Sequence, residues 1–500
     1  MSQTMTPRRQ WVSLAVLVGA LLLLAIDGTV LHLAVPSLTE QLSPTATQIL
    51  WIGDIYSLAL AGLLVTMGNL ADRIGRKRLL LIGSTAFGLA SLLAAFAPTP
   101  GALIAARLVL GIAGATIMPS TLSLIRNIFT DPVQRTKAIS LWSAAAASGV
   151  ALGPLVAGVL LEHFWWGSVF LINIPVMFAV VAVGLWVLPE SRDPKPGRFD
   201  VFSSVLSMVA IIPVVYVIKQ LSGGGFDLST VALILISAVG MLLFIRRQRR
   251  SQEPMIDVDL FRVPAFTGAV LVNFISVFAL SGVLFFFAQY LQLARGLSPL
   301  QAGLAQLPIA IAAMAAATVV GFLLTKLGRG RAIAVGLAAG AVGMGFLAFT
   351  ENSEQLVWVL VATAPLGLGI GIAEALSVDA VVSAVRPSEA GAAASVSETA
   401  YELGVAMGIA ILGSVITVLY RLNLDLPHGI EQADAVRAQD SLAAASTVLD
   451  HDSAAWETAQ HAFVTAMQST TLIAGGVMVV AAIVAFVVIP NHKNAVPAQH

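Results

Sequence analysis

Residues 48–78 read QILWIGDIYSLALAGLLVTMGNLADRIGRKR. From Gln48 to Leu70 the stretch carries one charge, Asp54, and it closes on a cluster of Arg73, Arg76, Lys77 and Arg78 before a new apolar run starts at Leu79. An apolar helix needs about 17 to 25 residues, each rising ~1.5 Å, to cross the ~30 Å hydrocarbon core of a bilayer. Residues 48–70 have that length, and the basic cluster is the kind of end that remains in water on the cytoplasmic side. Backbone exposed to lipid must satisfy its own hydrogen bonds, so the spanning element is a helix or part of a closed barrel. Strand-like alternation over ten-residue segments is absent, which leaves the helix.

The pattern recurs along the chain at 12–35, 79–97, 102–125, 138–161, 167–188, 203–220, 228–245, 266–292, 300–325, 331–350, 356–384, 393–420 and 467–489, making fourteen spans with 48–70. Composition agrees: 58% hydrophobic residues, 11% charged residues and a mean hydropathy of +0.90 lie far outside the soluble range. Arg8 and Arg9 before the run from Trp11 imitate a secretory leader, but the run is long and contains Asp27, so it reads as a retained first helix. The fold class is therefore an all-α polytopic membrane protein.

Counting Lys and Arg by loop gives an orientation. With the amino terminus in the cytoplasm, the inside segments hold 22 basic residues and the outside segments four, namely Lys219, Arg295, Arg421 and Arg437. Both termini are then cytoplasmic. The longer connections 189–202 and 246–265 flank the seventh and eighth spans, which suggests a six-helix bundle over 1–188, an inserted pair with its linkers over 189–265, and a second six-helix bundle over 266–500. Residues 421–462 form a long outside loop, acidic at Asp425, Glu431, Asp434, Asp440, Asp450, Asp452 and Glu457, with an Ala-rich stretch at 435–448 that suits a short surface helix. The loop reads either as a solvated linker or as a gate over an outer vestibule.

Several functions are excluded. A formal net charge of zero supplies no global field for nucleic acid. Without cysteine there is no disulfide framework, thiolate metal site or cysteine nucleophile. None of the six lysines follows a glycine, so the phosphate loop of an ATP-driven machine is missing. No metal cluster or nucleophile with a base stands at recognisable spacing, so neither an enzyme nor a cofactor or bound metal is expected.

The chemistry must lie in the charges inside the spans, each of which costs about 2.5 kcal/mol or more to place in a bilayer. These are Asp27, Asp54, Arg107, Glu398 and Glu402, with Glu374 and Asp379 close enough to a helix end to reach water. An arginine beside a carboxylate favours its charged form and burial its neutral form, so a carboxylate that moves between the two carries a proton. Asp27 with Arg107 is thus either a switchable proton site or a permanent ion pair that fixes packing. Asp54, between Trp51 and Tyr56, reads as a cation-binding or proton-carrying acid. Glu398 and Glu402 share one helix face at i, i+4 with Tyr401 beside them, and their repulsion invites a proton or a bound cation. His32 reads as interfacial, the Phe285, Phe286, Phe287 and Tyr290 run as either a wall for aromatic cations or a lipid-facing surface, and the glycines of 365–372 as close-packing positions.

The turn after the second span, Gly68-Asn-Leu-Ala-Asp72-Arg73-Ile-Gly75-Arg76-Lys-Arg78, resembles the signature of the major facilitator superfamily, where it latches two helix bundles on the cytoplasmic side. Arg107-x-x-x-Gly111 is similar to that family's second motif, and Gly149-x-x-x-Gly153-Pro154-x-x-x-Gly158 to its antiporter motif. Asp27-Gly-Thr-Val through Pro36, Trp51-Ile-Gly-Asp54-Ile-Tyr-Ser57, Trp166-x-x-x-Phe170-x-x-Asn173-x-Pro175 and Ser397-Glu398-Thr-Ala-Tyr401-Glu402-Leu-Gly404 look like the fourteen-helix drug/proton antiporters, closest to the QacA-type and LfrA-type multidrug efflux pumps. The resemblance implies two six-helix bundles plus two extra helices in the bacterial inner membrane; a monomer is the expected unit. It implies proton-driven export of lipophilic cations such as quaternary ammonium compounds, ethidium-like dyes and fluoroquinolones, and a part in antibiotic resistance. Asp27 would be the proton site paired with Arg107, with Asp54, Glu398 and Glu402 serving protonation or cation recognition. The tenth span reads Pro308-Ile-Ala-Ile-Ala-Ala-Met314 where pumps for divalent cations carry an acid, which leaves monovalent cations as the expected cargo. The alternatives are an exporter of a lipid, siderophore or amino acid on the same fold, or a non-transporting sensor or scaffold.

Overall fold

In a computed structural model the described residues are 5–192, 200–222, 227–251, 254, 256–385 and 390–491. The cytoplasmic basic residues Lys195, Arg198, Arg386 and Lys493 of the orientation argument lie outside them. The described chain forms helices α1 (Pro7–Leu42), α2 (Ala46–Ile74), α3 (Arg76–Ala95), α4 (Pro100–Ile128), α5 (Pro132–His163), α6 (Ser168–Leu171), α7 (Asn173–Val187), α8 (Val201–Ser222), α9 (Leu228–Arg250), α10 (Pro264–Gln289), α11 (Pro299–Leu327), α12 (Arg329–Thr350), α13 (Leu356–Ser383), α14 (Ala390–Asn423), α15 (Gln432–Ala438), α16 (Leu442–Ala445) and α17 (Ala454–Val488). Among the described residues there is no strand, and fourteen helices, with α6 and α7 counted as one, are long and apolar enough to cross a membrane.

Local chemistry sets the helix ends. Thr45 and Gln48 start α2 with a reciprocal capping box, the Gln48 amide donating to Thr45 Oγ1 (3.2 Å) and the Thr45 amide to Gln48 Oε1 (3.0 Å). Pro100 and Pro132 occupy the first turns of α4 and α5, where a missing N–H costs nothing. Between α2 and α3 the chain turns at Gly75 with φ 115°, a conformation that a side chain would strain.

Several spans are longer than the apolar runs alone predict. The first runs from Pro7 to Leu42, because polar residues at its ends extend the helix beyond the apolar core, and Asp27 consequently lies near its middle. The last begins at Ala454 and takes in the end of the expected outside loop. What remains of that loop folds: α15 and α16 replace the single expected surface helix, and Ala438 and Leu442 to Ala445 are buried. Tyr420 Oη donates to Ala438 O (2.9 Å), and Arg421 Nη2 reaches Asp440 Oδ1 (3.0 Å), so the loop is tied to the end of α14.

The chain divides into two compact units, the first comprising Met1–Pro213, Leu235–Phe244 and Gly296–Leu304, the second Val214–Ile234, Ile245–Arg295 and Ala305–His500. Inside the first, α1 packs on α5, α3 on α4 and α3 on α7. Inside the second, α10 packs on α14, α12 on α13 and α12 on α17. Numbering membrane crossings instead of helices, these are the first with the fifth, the third with the fourth and the third with the sixth, repeated eight crossings later. Such recurrence is the mark of a transporter built from two six-helix bundles, with α8 and α9 as the extra pair.

Small residues permit the tightest of these contacts. A Cβ at Gly149 would lie 2.6 Å from Ala25 Cβ and 2.7 Å from Leu22 O, and one at Gly153 would collide with Thr29, so α5 approaches α1 on both sides of Asp27. Gly149→Val is expected to force the two helices apart at an overpacking cost of about 1–3 kcal/mol. Thermal unfolding of the detergent-solubilised protein reads this; an unchanged midpoint contradicts the assigned α1–α5 contact.

Candidate functional site

The first unit buries its charges around Arg107. One turn along α4, Gly111 allows close approach to α2, since a Cβ there would sit 2.6 Å from Tyr56 O. Ile52 is one turn from Tyr56 as Arg107 is one turn from Gly111, and the Arg107 Nε accordingly donates to Ile52 O (3.1 Å). The Arg107 Nη1 stands 3.5 Å from Asp27 Oδ2, with both side chains at 1% exposure or less. Its guanidinium also lies over the Tyr56 ring, 4.9 Å from the centroid, and 6.0 Å from that of Phe170. Asp54 is fully buried and close enough for its charge to act on Arg107. The three charges separated in sequence therefore share one interior, with Tyr56 among them. Trp51 is half-buried on α2.

Asp27 has a second partner that charge counting misses. The Asn173 Nδ2 donates to Asp27 Oδ1 at 2.6 Å and to Ser91 Oγ at 3.1 Å. The sixth span breaks between α6 and α7, just ahead of Asn173, and this break with Pro175 behind it belongs to the Trp166–Pro175 pattern already visible in the sequence. A buried amide in that pattern was the available signal. His32 is also not interfacial: it is 7% exposed and feels the charge of Arg107, because α1 extends well past it.

In the second unit the acids gather with one another. Glu398 and Tyr401 on α14 both interact electrostatically with Glu374 of α13, and Tyr401 with Glu402 as well. All four are half-buried. Glu374, expected to snorkel from a helix end, instead joins this group. Asn273 of α10 holds the turn before Glu398 by donating to Ser397 O (3.0 Å) and Ser397 Oγ (3.2 Å). Asp379 is separate, paired with Arg329 at 2.7 Å. The aromatic run is internal: Phe285, Phe287 and Tyr290 are fully buried and Phe286 nearly so, which rules out a lipid-facing surface.

The basic turn ties parts of the first unit together. Arg76 pairs with Asp72 at 2.8 Å, and its backbone amide and Nη1 donate to Ser191 O and Ser191 Oγ, both at 2.9 Å. Lys77 Nζ donates to Leu185 O (2.7 Å). A Cβ at Gly75 would meet Glu190 Oε1 at 2.5 Å. Gly68 faces Pro119 on α4, and Arg73 lies in the last turn of α2. In the antiporter pattern Pro154 sits inside α5, with its carbonyl against Gly303, and Gly158 lies against Pro299 and Leu300.

Removing the cation from a buried pair leaves an uncompensated charge. Arg107→Ala is expected to cost about 3–5 kcal/mol of folding stability, most of it recovered in Asp27→Asn/Arg107→Ala. Equal losses in the single and double variants, measured by chemical unfolding, refute the pairing.

The sequence model of the Major Facilitator Superfamily matches residues 17–409. The chain is 44% identical to the multidrug efflux pump LfrA of Mycolicibacterium smegmatis, over 97% of each. It is 37% identical to the methyl viologen resistance protein SmvA of Salmonella typhimurium, over 95% of this chain and 97% of that one. Among solved structures, a bacterial homolog of the human lysosomal transporter Spinster aligns with a TM-score of 0.67 at 17% identity, over 96% of this chain and 98% of that one, a likeness of fold alone.

Proposed function

The chain belongs to the major facilitator superfamily, a family of membrane transporters and not of enzymes, and on that premise we propose that it is a proton-coupled antiporter exporting lipophilic cations. Its relatives are multidrug efflux and resistance proteins. The observation that carries the coupling is the placement of Asp27 on Arg107 and Asn173 in a buried interior. Protonation of Asp27 removes its attraction for the guanidinium, which remains within reach of Ile52 O, the Tyr56 ring and Asp54. A proton at Asp27 thus redistributes one positive charge among α1, α2 and α4. Packed interiors respond to such a change by switching between discrete arrangements.

Cargo recognition is assigned to Glu398, Glu402 and Tyr401, together with Asp54, Tyr56 and Trp51. A lipophilic cation relieves the mutual repulsion of the acids in the second unit, and aromatic faces bind its charge without the desolvation cost of a second carboxylate. Residues 1–188 and 266–500 act as the two bundles, the Asp72–Arg76 turn is the cytoplasmic latch, and Gly149, Gly153, Pro154 and Gly158 form the antiporter packing face. Both termini face the cytoplasm in a bacterial inner membrane, and the monomer is the working unit. Export requires that the two conformations differ in affinity for cation and proton, since equal binding shifts nothing.

Ethidium efflux from proteoliposomes tests this. An imposed pH gradient is expected to drive efflux in wild type, a sodium gradient is not, and Asp27→Asn abolishes the gradient response; sodium-driven efflux overturns proton coupling. Glu402→Gln is expected to weaken ethidium binding about tenfold, the equivalent of ~1.4 kcal/mol. Unchanged equilibrium binding to this variant removes Glu402 from the cation site.

A further inference from the structure

One buried carboxyl lies outside every group described so far. Glu351 follows α12 in the turn before α13, and it is 1% exposed. Thr471 of α17 donates its hydroxyl to Glu351 Oε1 (3.0 Å), while Oε2 is buried and has no hydrogen-bond partner. The turn is anchored on a second side by Tyr290, whose hydroxyl donates to the Glu351 carbonyl oxygen at 2.7 Å. The site thus joins the end of α12, the helical turn after α10 and the body of α17.

No described ion pair reaches this carboxyl. Arg295, the nearby cation, spends its guanidinium on the carbonyl oxygens of Ser353 (2.6 Å) and Glu354 (2.9 Å). Tyr290 faces the site as a hydroxyl donor, Glu354 stands exposed in the same turn, and the titratable groups of α17, Glu457 and His461, are exposed. A carboxylate here would hold a full charge on one hydroxyl donor, whereas the neutral acid is far less costly to bury.

We propose that Glu351 is a proton-binding site whose neutral carboxyl, by sparing the interior a charge, lets the end of α12 stay packed against α17, while the Glu351 backbone carbonyl holds the turn to Tyr290 in either protonation state. Burial pushes this carboxyl from the ordinary 4.5 up to about 8, against the opposing effect of the Thr471 hydrogen bond. Ionisation therefore falls within an accessible pH range, and the charge is relieved by parting α12 from α17 so that water enters. In the orientation proposed above this end faces outside, so the α12–α17 contact is closed on an acidic exterior and loosened on an alkaline one. The site goes beyond the drug/proton reading and does not depend on it.

The sign of its effect on stability follows from linkage. Between about 4.5 and about 8 the unfolded chain has released this proton and the folded chain retains it. Stability contributed by the site therefore falls as pH rises through that window and levels off above it.

The test compares detergent-solubilised wild type, Glu351→Gln and Thr471→Val by infrared spectroscopy and thermal unfolding, neither of which requires transport. A wild-type minus Glu351→Gln spectrum is expected to contain a protonated-carboxyl band at pH 6 that is lost above pH 8. The unfolding midpoint of wild type is expected to fall relative to Glu351→Gln across the same window. Thr471→Val, which removes the donor that favours the carboxylate, moves loss of the band to higher pH, and it supplies the answer if Glu351→Gln does not fold. A carboxylate band already present at pH 6, or a titration unmoved in Thr471→Val, overturns the proposal.

Discussion

A charge inside an apolar helix must find its compensation among neighbouring helices, because lipid supplies none. In the first unit that requirement is met by Asp27 and Arg107, 3.5 Å apart and both fully buried. Much of the local architecture serves the approach. Gly111 lets α4 settle on α2, Gly149 and Gly153 let α5 settle on α1 around Asp27, and the break before Asn173 brings an amide to the second carboxylate oxygen. Motifs on α4, α5 and the sixth span thus converge on a single carboxyl of α1.

The second unit solves the opposite problem. Glu374, Glu398 and Glu402 act on Tyr401 together, and Glu374 repels Glu398. The first unit sets its buried acids against an arginine, while the second gathers acids with one another in a half-buried setting. Under the function proposed above, that asymmetry supplies one region where a proton alters an existing pair and another where a positive guest relieves existing repulsion. Several helix pairings recur in the two units, so the difference in charge arises from a few side chains placed on a partly repeated frame.

The fold class and the number of spans were legible in the sequence because they follow from lengths and hydropathy. Fourteen spans, the motif turn at Asp72–Arg76 and the intramembrane charges could all be read without coordinates. Span ends were less legible, since a helix continues through polar residues once it has left the lipid, as at Pro7–Leu42 and Ala454–Val488. The misreadings of His32 and Glu374 share a cause: depth was inferred from distance to the end of an apolar run, whereas burial depends on which neighbours pack against that face.

The sequence by itself determined that the chain crosses a membrane, how many times, and which ionisable groups must be accommodated there, because the energetic penalty for charge in lipid attaches to residue type and run length. Only the tertiary structure decided the partners. Asn173 and Ser91 around Asp27, Asn273 beside Glu398, and Thr471 and Tyr290 around Glu351 are ordinary polar residues in apolar helices, and nothing in their local sequence says what they face. Hydrogen bonds act over about 3 Å, so they are settled by which helices touch and at what rotation, and in this fold those contacts join residues 61 to 146 positions apart.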